Sequence, residues 1–533
     1  MEREAETHTF AVTADDASAE KITTTEEKPQ TSKDATPKTA AAVILWRGAR
    51  EEPEIFWARR SERLAFLGGF HAFAGGQREV SDAETPVDNC DAQETRAMIA
   101  CAARELFEET GVLVARGSER LTKGQRASLL DELESGRMMF PRLLEHFGLH
   151  LDARDFTFAG RWVTPPFSPR RFDTWFFLVR CPAKQEAYLR DAGELESGEW
   201  IKAKDALARR EKSQALVAPP VLHLVRTLAA GLTDDVVERF LSVPQAHGEP
   251  VRRIEFLPGY VCFPLRAPTK PPATHTNCFI IGTRDLIVID PASPDESEQA
   301  ALASCIDDMI ASGATVREIV LTHHHPDHTG GVEALRDHLG GKLPVAAHYE
   351  TANLLRDKIR VDHHFDDGDV LKIEGDPSIS LRVLHTPGHA RGHLCFYDEE
   401  RGALVTGDMV VGIGSILIDA IDGDMRDYLQ SLERLRSLPK LSVLFGAHGP
   451  PVGGARAKIE EYIRHRLERE QNILAAVQAG ATTPAEIVQK VYTDVPAKAH
   501  PMAERAVVAH LQKLEADECV RRAEGAYVAV VKV

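Results

Sequence analysis

The 533-residue sequence predicts a multidomain α+β protein, with folded units following a polar N-terminal tail. Three observations predict it. The length exceeds what one hydrophobic core supports and suggests about three or four domains. Two long stretches mix strand-like apolar runs, helical segments and Gly/Pro turns. After Gly453-Gly454 the composition changes to charged helices that end in a strand-like segment.

Residues 1–38 are rich in Thr, Glu, Ala, Lys and Asp and nearly free of large apolar side chains. Such a segment cannot bury enough surface to offset its chain entropy, so a disordered tail is expected. Order is expected to begin at Ala40-Ala-Ala-Val-Ile-Leu-Trp46, a buried strand by its length and β-branching. The first unit runs over 39–230 and a linker over 231–252. A second unit occupies 253–455, where Asn277-Cys-Phe-Ile-Ile281 and Asp285-Leu-Ile-Val-Ile-Asp290 read as strands and 298–312 and 331–339 as helices. The last unit, 456–533, holds a long charged helix over 458–479. Thr483-Pro-Ala-Glu486 then forms a capping box with Pro at the first helical position. A helix over 503–516 and a strand over 527–533 make the module winged-helix-like.

The formal net charge of −17 argues against a broad nucleic-acid-binding surface, although it leaves room for a local basic groove. The apolar run at 40–46 is far short of the ~20 residues a membrane helix needs, and no basic stretch precedes an apolar one at the N-terminus. Eight cysteines occur singly, without CxxC spacing, which fits a reduced, cytoplasmic setting.

The densest chemical signal is Thr322-His-His-His-Pro-Asp-His-Thr-Gly-Gly331, which follows a strand-like run ending at Leu321. His323, His325, Asp327 and His328 give His-x-His-x-Asp-His. Imidazoles at i and i+2 of an extended turn can share one ion, while Asp327 and His328 point elsewhere and can serve a second. Further donors come from distant turns: His389 in Thr-Pro-Gly-His, Asp408 in Thr-Gly-Asp and His448 in Gly-Ala-His-Gly-Pro. Each follows an apolar run, on the kind of loop that presents catalytic groups.

These residues resemble the metallo-β-lactamase superfamily over roughly 255–455, which implies an αββα sandwich. The resemblance implies that His323, His325 and His389 bind one zinc. Asp327, His328 and His448 would bind the other, with Asp408 bridging. Iron or manganese would be the alternatives to zinc. A metal-bound hydroxide would be the nucleophile, with Asp327 also handling the proton. Asp408 combined with His448 is similar to the glyoxalase II and RNA-processing branches, so the implied substrate is an acyl thioester or an RNA phosphodiester. The helix after the last ligand carries Arg464, His465, Arg466 and Arg469. Followed by a winged helix, it resembles the β-lactamase-like endoribonucleases, whose single-stranded RNA phosphates these residues would face.

A second signature lies at Arg104-Glu-Leu-Phe-Glu-Glu-Thr-Gly-Val112. On a helix Glu105, Glu108 and Glu109 crowd one face, a repulsive arrangement that a hard divalent cation would offset. The string resembles the Nudix box, implying an α/β/α domain over about 39–230 that hydrolyses nucleoside diphosphates. It also implies that Glu105, Glu108 and Glu109 hold Mg2+ or Mn2+, that one of them activates water, and that Arg104 orients a carboxylate. The front half departs from the pattern: Asp82 stands where the family has Glu, and 21 residues (83–103) precede Arg104. His71-Ala-Phe-Ala-Gly-Gly76 and Thr164-Pro-Pro-Phe-Ser-Pro-Arg-Arg-Phe-Asp-Thr174 resemble the acyl-coenzyme A diphosphatase branch, where Arg170 and Arg171 would clamp a pyrophosphate.

The expectation is a fused two-site hydrolase acting on nucleoside diphosphate or coenzyme A derivatives, with RNA as the other substrate of the histidine-rich site. An alternative makes the first domain a non-catalytic nucleotide or coenzyme A binding module that regulates the second. A nucleic-acid-binding regulator built on the last module is the third reading, and the charge and intact ligand set weigh against it.

Overall fold

The computed structural model describes residues 36–64, 66–189, 193–493 and 495–530. The tail expected over 1–38 therefore lies, up to residue 35, outside the described residues. The first strand is Lys38–Gly48, close to where the apolar run places it. It pairs in parallel with Phe172–Arg180 and antiparallel with Pro53–Arg60 and Ala74–Gln77. Because side chains of a strand alternate between faces, one strand feeds two cores. Ala41, Val43 and Leu45 pack with the helix Gln93–Thr110, while Ala42, Ile44 and Trp46 pack on the other face.

That second face does not end at a domain boundary. It continues through Phe70, Phe256 and Tyr260 into the interior of the second unit. Residues 231–252, read from sequence as a linker, belong to the same core. They contain the short helix Val236–Phe240, and Leu232, Val236, Phe240 and Ala246 are buried. Leu232, Val236 and Phe240 recur at helical spacing, a one-sided apolar pattern that packs rather than spans. The first two units also meet backbone to backbone. A Cβ at Gly453 would lie 2.4 Å from the Gly68 carbonyl oxygen, so this contact requires glycine.

The second unit is two sheets face to face. One runs from Ile254–Leu257 through Tyr260–Arg266, His275–Ile281, Asp285–Ile289, Thr315–Val320 and Val345–Ala347 to His363–His364. The other holds Val370–Ile373, Ile379–His385, Leu394–Asp398, Ala403–Gly407 and Val443–Gly446. Cys262, Phe279, Ile281, Ile287 and Ile289 face Leu381, Val383, Leu394, Phe396, Val405 and Phe445 between the sheets. The alternate residues Val261, Cys278, Ile280 and Val288 point outward onto the helix Glu296–Ala311. On the far side Leu384, Cys395, Leu404 and Leu444 meet Met425–Arg436 and Ala455–Gln478. The period-2 alternation thus generates the αββα layering.

The last module holds Pro484–Val491, whose predicted Thr483/Glu486 capping box is present, and His500–Ala516. It ends in the hairpin Val520–Ala523 and Ala526–Ala529. Residues 531–533 of the expected final strand lie outside the described residues. Ala509 packs into the outer core of the second unit, and Arg426 pairs with Asp517, so the module is docked rather than tethered. No described helix is long and apolar enough to cross a membrane. All eight cysteines are free.

Candidate metal centres

The first sheet delivers the histidine-rich segment from the end of Thr315–Val320. The chain stays extended through His325 and then turns into the one-turn helix Pro326–Thr329. Extended backbone puts His323 and His325 on one side, and the turn swings Asp327 and His328 to another. The second sheet supplies the rest just after its strands: His389 after Ile379–His385, Asp408 after Ala403–Gly407 and His448 after Val443–Gly446. All seven residues predicted from sequence come together in overlapping groups: His323, His325 and His389; Asp327, His328 and His448; and His323, His328 and Asp408.

The partners of each ring decide which nitrogens carry protons. His389 Nδ1 donates to the Leu417 carbonyl at 3.1 Å, so its Nε2 presents a lone pair. His325 turns Nε2 toward the Asp422 carboxylate, 3.6 Å away, which leaves a lone pair on Nδ1. These two lone-pair nitrogens face each other at 3.0 Å, and His323 Nε2 lies 3.0 Å from the same His325 atom. Such a cluster is repulsive unless a cation sits among the three. Two nitrogens bound to one tetrahedral ion at ~2.0–2.1 Å would be ~3.3 Å apart, close to what is seen.

The other group follows the same logic. His328 Nδ1 is 2.8 Å from Asp290 Oδ2, and His448 Nδ1 donates to the His275 carbonyl at 2.9 Å. Both Nε2 atoms are left facing Asp408 Oδ1, at 3.6 and 3.3 Å, while Asp408 Oδ2 is 3.4 Å from His389 Nε2. Asp408 therefore offers one oxygen to each group. Neither His328 Nε2 nor Asp408 Oδ1 has a hydrogen-bond partner, although both are buried. Orphaned buried atoms of this kind are costly in a packed interior, and a pair of divalent ions would satisfy them. Burial opposes charge on His323, His325, His328, His389, Asp408 and His448. Against it, His448 and His328 still hold the Asp408 carboxyl well below its ordinary range. Burial, followed by His328, His325 and His389, drives His323 well below its own.

Three further residues complete the site without having stood out in the sequence. Asp290 orients His328. His393 accepts the backbone N–H of Asp408 at 3.1 Å on Nε2 and contacts Thr386 Oγ1 at 3.0 Å through Nδ1. Asp422 faces His325 Nε2 and His324 Nε2, each at 3.6 Å. Asp422 acts as a positioning residue through His325. Asp422→Asn is expected to weaken metal retention about 10- to 100-fold in a chelator competition, leaving two ions bound at saturation. Unchanged retention would remove Asp422 from the site.

The other predicted cluster lies on Gln93–Thr110. Arg104, only 3% exposed, is bidentate to Asp82, with Nε–Oδ1 2.9 Å and Nη2–Oδ2 3.0 Å. Its Nη1 donates to Glu105 and Glu108 at 2.9 Å each. Asp82 thus reaches Arg104 despite the long spacing. The short helix Val80–Glu84 carries it, and Gln93–Thr110 starts eleven residues before Arg104, absorbing part of the 83–103 insertion. Glu109 Oε2 accepts the Gly75 N–H at 2.8 Å. A Cβ at Gly76 would lie 2.5 Å from the Glu105 carboxylate, so a side chain there would displace that carboxylate. Burial pushes Glu109 up to about 8 and Glu105 to about 7, and raises Glu108. Three carboxylates on one helix face, two of them held by Arg104 and the third by the Gly75 N–H, suit a hard divalent cation. Their oxygens are drawn apart by Arg104 and Gly75, and among the described residues they do not converge as tightly as the histidines.

The expected substrate contacts fare less evenly. Arg170 is exposed, and Arg171 Nε donates to the Thr164 carbonyl at 3.0 Å, closing its own loop. Arg464 and His465 are exposed, but Arg466 is buried. It donates to the Ile416 carbonyl and lies over the Tyr428 ring. Arg469 stacks on Tyr492 at 4.1 Å and donates to the Val491 carbonyl. The expectation of phosphate-facing side chains is therefore corrected for Arg466, which faces inward, and for Arg469, which is engaged with Tyr492 and Val491. Ile459, Tyr462, Ile463 and Arg466 share the buried stripe at i, i+3, i+4 and i+7.

A family model described as the metallo-beta-lactamase superfamily matches residues 271–448. One for a NUDT19 Nudix domain matches 84–228, and one for a beta-lactamase associated winged helix domain matches 483–527. The lactamase-like protein adaB of Aspergillus niger is 32% identical over 236 residues, covering 42% of this chain and 69% of that protein. An atrochrysone carboxyl ACP thioesterase of Aspergillus chevalieri is 32% identical over 232 residues, 42% of this chain and 69% of its own. A beta-lactamase-like protein 2 homolog of Caenorhabditis elegans is 28% identical over 226 residues, 42% and 72%. Among solved structures, a metallo-beta-lactamase family protein of Thermus thermophilus aligns with a TM-score of 0.43 and 25% identity, over 52% of this chain and all of that one. A NUDIX hydrolase of Alicyclobacillus acidocaldarius aligns at 0.33 and 30%, over 40% and 98%.

Proposed function

The chain belongs to the metallo-β-lactamase superfamily, with a Nudix domain before the hydrolase fold and a winged helix after it, and from that premise we propose a two-metal acyl thioester hydrolase joined to a diphosphatase. The observation that carries the first half is Asp408, which offers one carboxylate oxygen to each group of histidines. Two divalent ions there, zinc or else iron or manganese, would act as Lewis acids on the thioester carbonyl and lower the pKa of the attacking water. The chain's own groups do the rest. Asp408 sets the spacing of the two ligand groups, and the Asp290, Leu417 and His275 contacts hold the rings. Asp327 takes the proton as the water oxygen adds to the carbonyl carbon. The C–S bond then breaks with its electron pair on sulfur, and the proton passes to the departing thiolate.

The thioester is preferred to RNA for two reasons. The thioesterase name among the relatives supports it. The helix that was to grip an RNA backbone turns Arg466 inward. The Nudix domain, with Mg2+ or Mn2+ on Glu105, Glu108 and Glu109, is assigned a diphosphate bond in a nucleoside diphosphate or coenzyme A derivative, so both sites would act on related molecules. The test is thiol release from acyl-coenzyme A by protein carrying two zinc or manganese ions. Asp327→Ala is expected to lower it by about 10²–10⁴-fold, the usual worth of a positioned acid–base group. Cleavage of single-stranded RNA without thiol release would reverse the preference.

A further inference from the structure

Residues 409–424, between Asp408 and the helix Met425–Arg436, form neither helix nor strand. A connection beyond ~12–15 residues without structure of its own is uncommon in a packed domain, and its backbone groups must find partners elsewhere. On the inner side those partners are the ligand-bearing turns. Gly412 N–H donates to the His448 carbonyl at 2.7 Å, and Asp424 N–H to the Gly388 carbonyl at 2.9 Å. The Leu417 carbonyl accepts from His389 Nδ1 at 3.1 Å, and Asp422 stands 3.6 Å from His325 Nε2. This one segment therefore orients two rings of the His323, His325 and His389 group. The rings of His328 and His448 are held from outside it, by Asp290 and the His275 carbonyl.

On the outer side the segment is gripped by residues that follow the hydrolase fold. From the helix Ala455–Gln478, Tyr462 Oη donates to the Gly414 carbonyl at 3.0 Å and Arg466 donates to the Ile416 carbonyl. From the winged-helix segment His500–Ala516, Arg505 pairs with Asp419. Asp419 closes the turn that bears Asp422. Its carbonyl accepts the N–H groups of Asp422 and Gly423 at 3.2 and 2.7 Å, and its Oδ1 accepts the Ile421 N–H at 3.2 Å. Ile416 and Ile418 are buried in the same apolar cluster as Ala509 of the winged helix. A shift of Asp419 is thus passed to Asp422 within a single turn. We propose, on the two-metal reading above, that Arg505 is a positioning residue for the His323, His325 and His389 group, acting through Asp419 and Asp422. The winged helix then forms part of the metal centre's support, whichever substrate the centre takes. Removing an outer contact of a metal-binding imidazole costs about 10- to 100-fold in affinity, and an exposed ion pair one contact further out costs less.

Stepwise chelator competition on the full-length, zinc-loaded protein separates the two ion affinities. Arg505→Gln and Asp419→Asn are each expected to weaken one ion about fivefold and to leave the other within about twofold. The double variant should lose no more than either single one, because both remove the same contact. Arg426→Gln is the control. Arg426 pairs with Asp517 of the same module but sits on the helix Met425–Arg436, so its loss loosens docking without releasing Asp419. An equal loss in Arg426→Gln, equal weakening of both ions, or no change in Arg505→Gln overturns the proposal. If the unaltered chain retains fewer than two ions, the two-metal reading fails, and hydrogen exchange of the metal-free protein decides the positioning role. Faster exchange across 409–424 in Arg505→Gln than in Arg426→Gln supports it, and equal exchange in the two variants refutes it.

Discussion

Asp408→Ala should bring metal content from near two ions per chain to one or fewer and lower hydrolysis by at least about 10³-fold, more than the 10- to 100-fold expected of a supporting residue. The reason is geometric. Asp408 turns one oxygen to each side, with Oδ1 facing His448 and His328 and Oδ2 facing His389. Alanine would remove a donor from both groups and leave the lone pairs of His328 and His448 facing an apolar methyl. His393→Gln gives the graded control, because it disturbs the N–H contact that fixes the Asp408 backbone and the Thr386 contact behind it without removing a candidate ligand. Elemental analysis after gel filtration reads the stoichiometry, and thiol release reads turnover. Two ions retained in Asp408→Ala would mean that the groups are independent and that no bridge exists.

The ligand set was legible because its chemistry is concentrated in sequence. His-x-His-x-Asp-His needs only extended backbone followed by one helical turn, and both are signalled by the strand before it and Pro326 within it. His389, Asp408 and His448 were legible for a similar reason, each following an apolar strand on a Gly- or Pro-bearing turn. Asp290, His393 and Asp422 were not. Each is a lone polar residue whose role depends on which ring nitrogen it meets across the fold. Arg466 was misread because a charged residue on a charged helix looks solvated. Its i+3 and i+4 relation to Ile463 and Tyr462 was the signal that it belongs to the buried stripe. The 231–252 segment was misread in the same way, with Leu232, Val236 and Phe240 marking one packed face inside a polar composition. Beside the shared apolar core, the first two units meet by backbone approach at Gly68 and Gly453, which no side-chain pattern encodes.

Asp82 is the departure from pattern with the clearest physical resolution, and it leads to the second large effect. Arg104 is nearly inaccessible and is hydrogen-bonded to three carboxylates, of which Asp82 is itself 1% exposed. Replacing one member of a buried ionic cluster costs more than the cluster's net worth, because the remaining charge stays buried without a partner. Arg104→Met is therefore expected to destabilise the Nudix domain by about 3–5 kcal/mol. The protein offers a convenient reporter, since all five tryptophans, 46, 57, 162, 175 and 200, lie in this domain. Urea unfolding followed by tryptophan fluorescence reads this domain together with the core it shares with the second unit, in which Trp46, Trp57 and Trp162 lie. Mg2+ should restore part of the loss, because an ion that binds only the folded state stabilises it by mass action and would neutralise Glu105 and Glu108. It should not restore all of it, since Asp82 faces the guanidinium on the other side. The double variant Arg104→Met with Asp82→Leu should be more stable than Arg104→Met alone, because it removes the stranded carboxylate together with its partner. A shift below about 1 kcal/mol for Arg104→Met would show that its partners Glu105 and Glu108 neutralise by protonation instead, as their upward shifts permit. Asp82 would then be a packing residue rather than the anchor that turns the arginine toward Glu105 and Glu108.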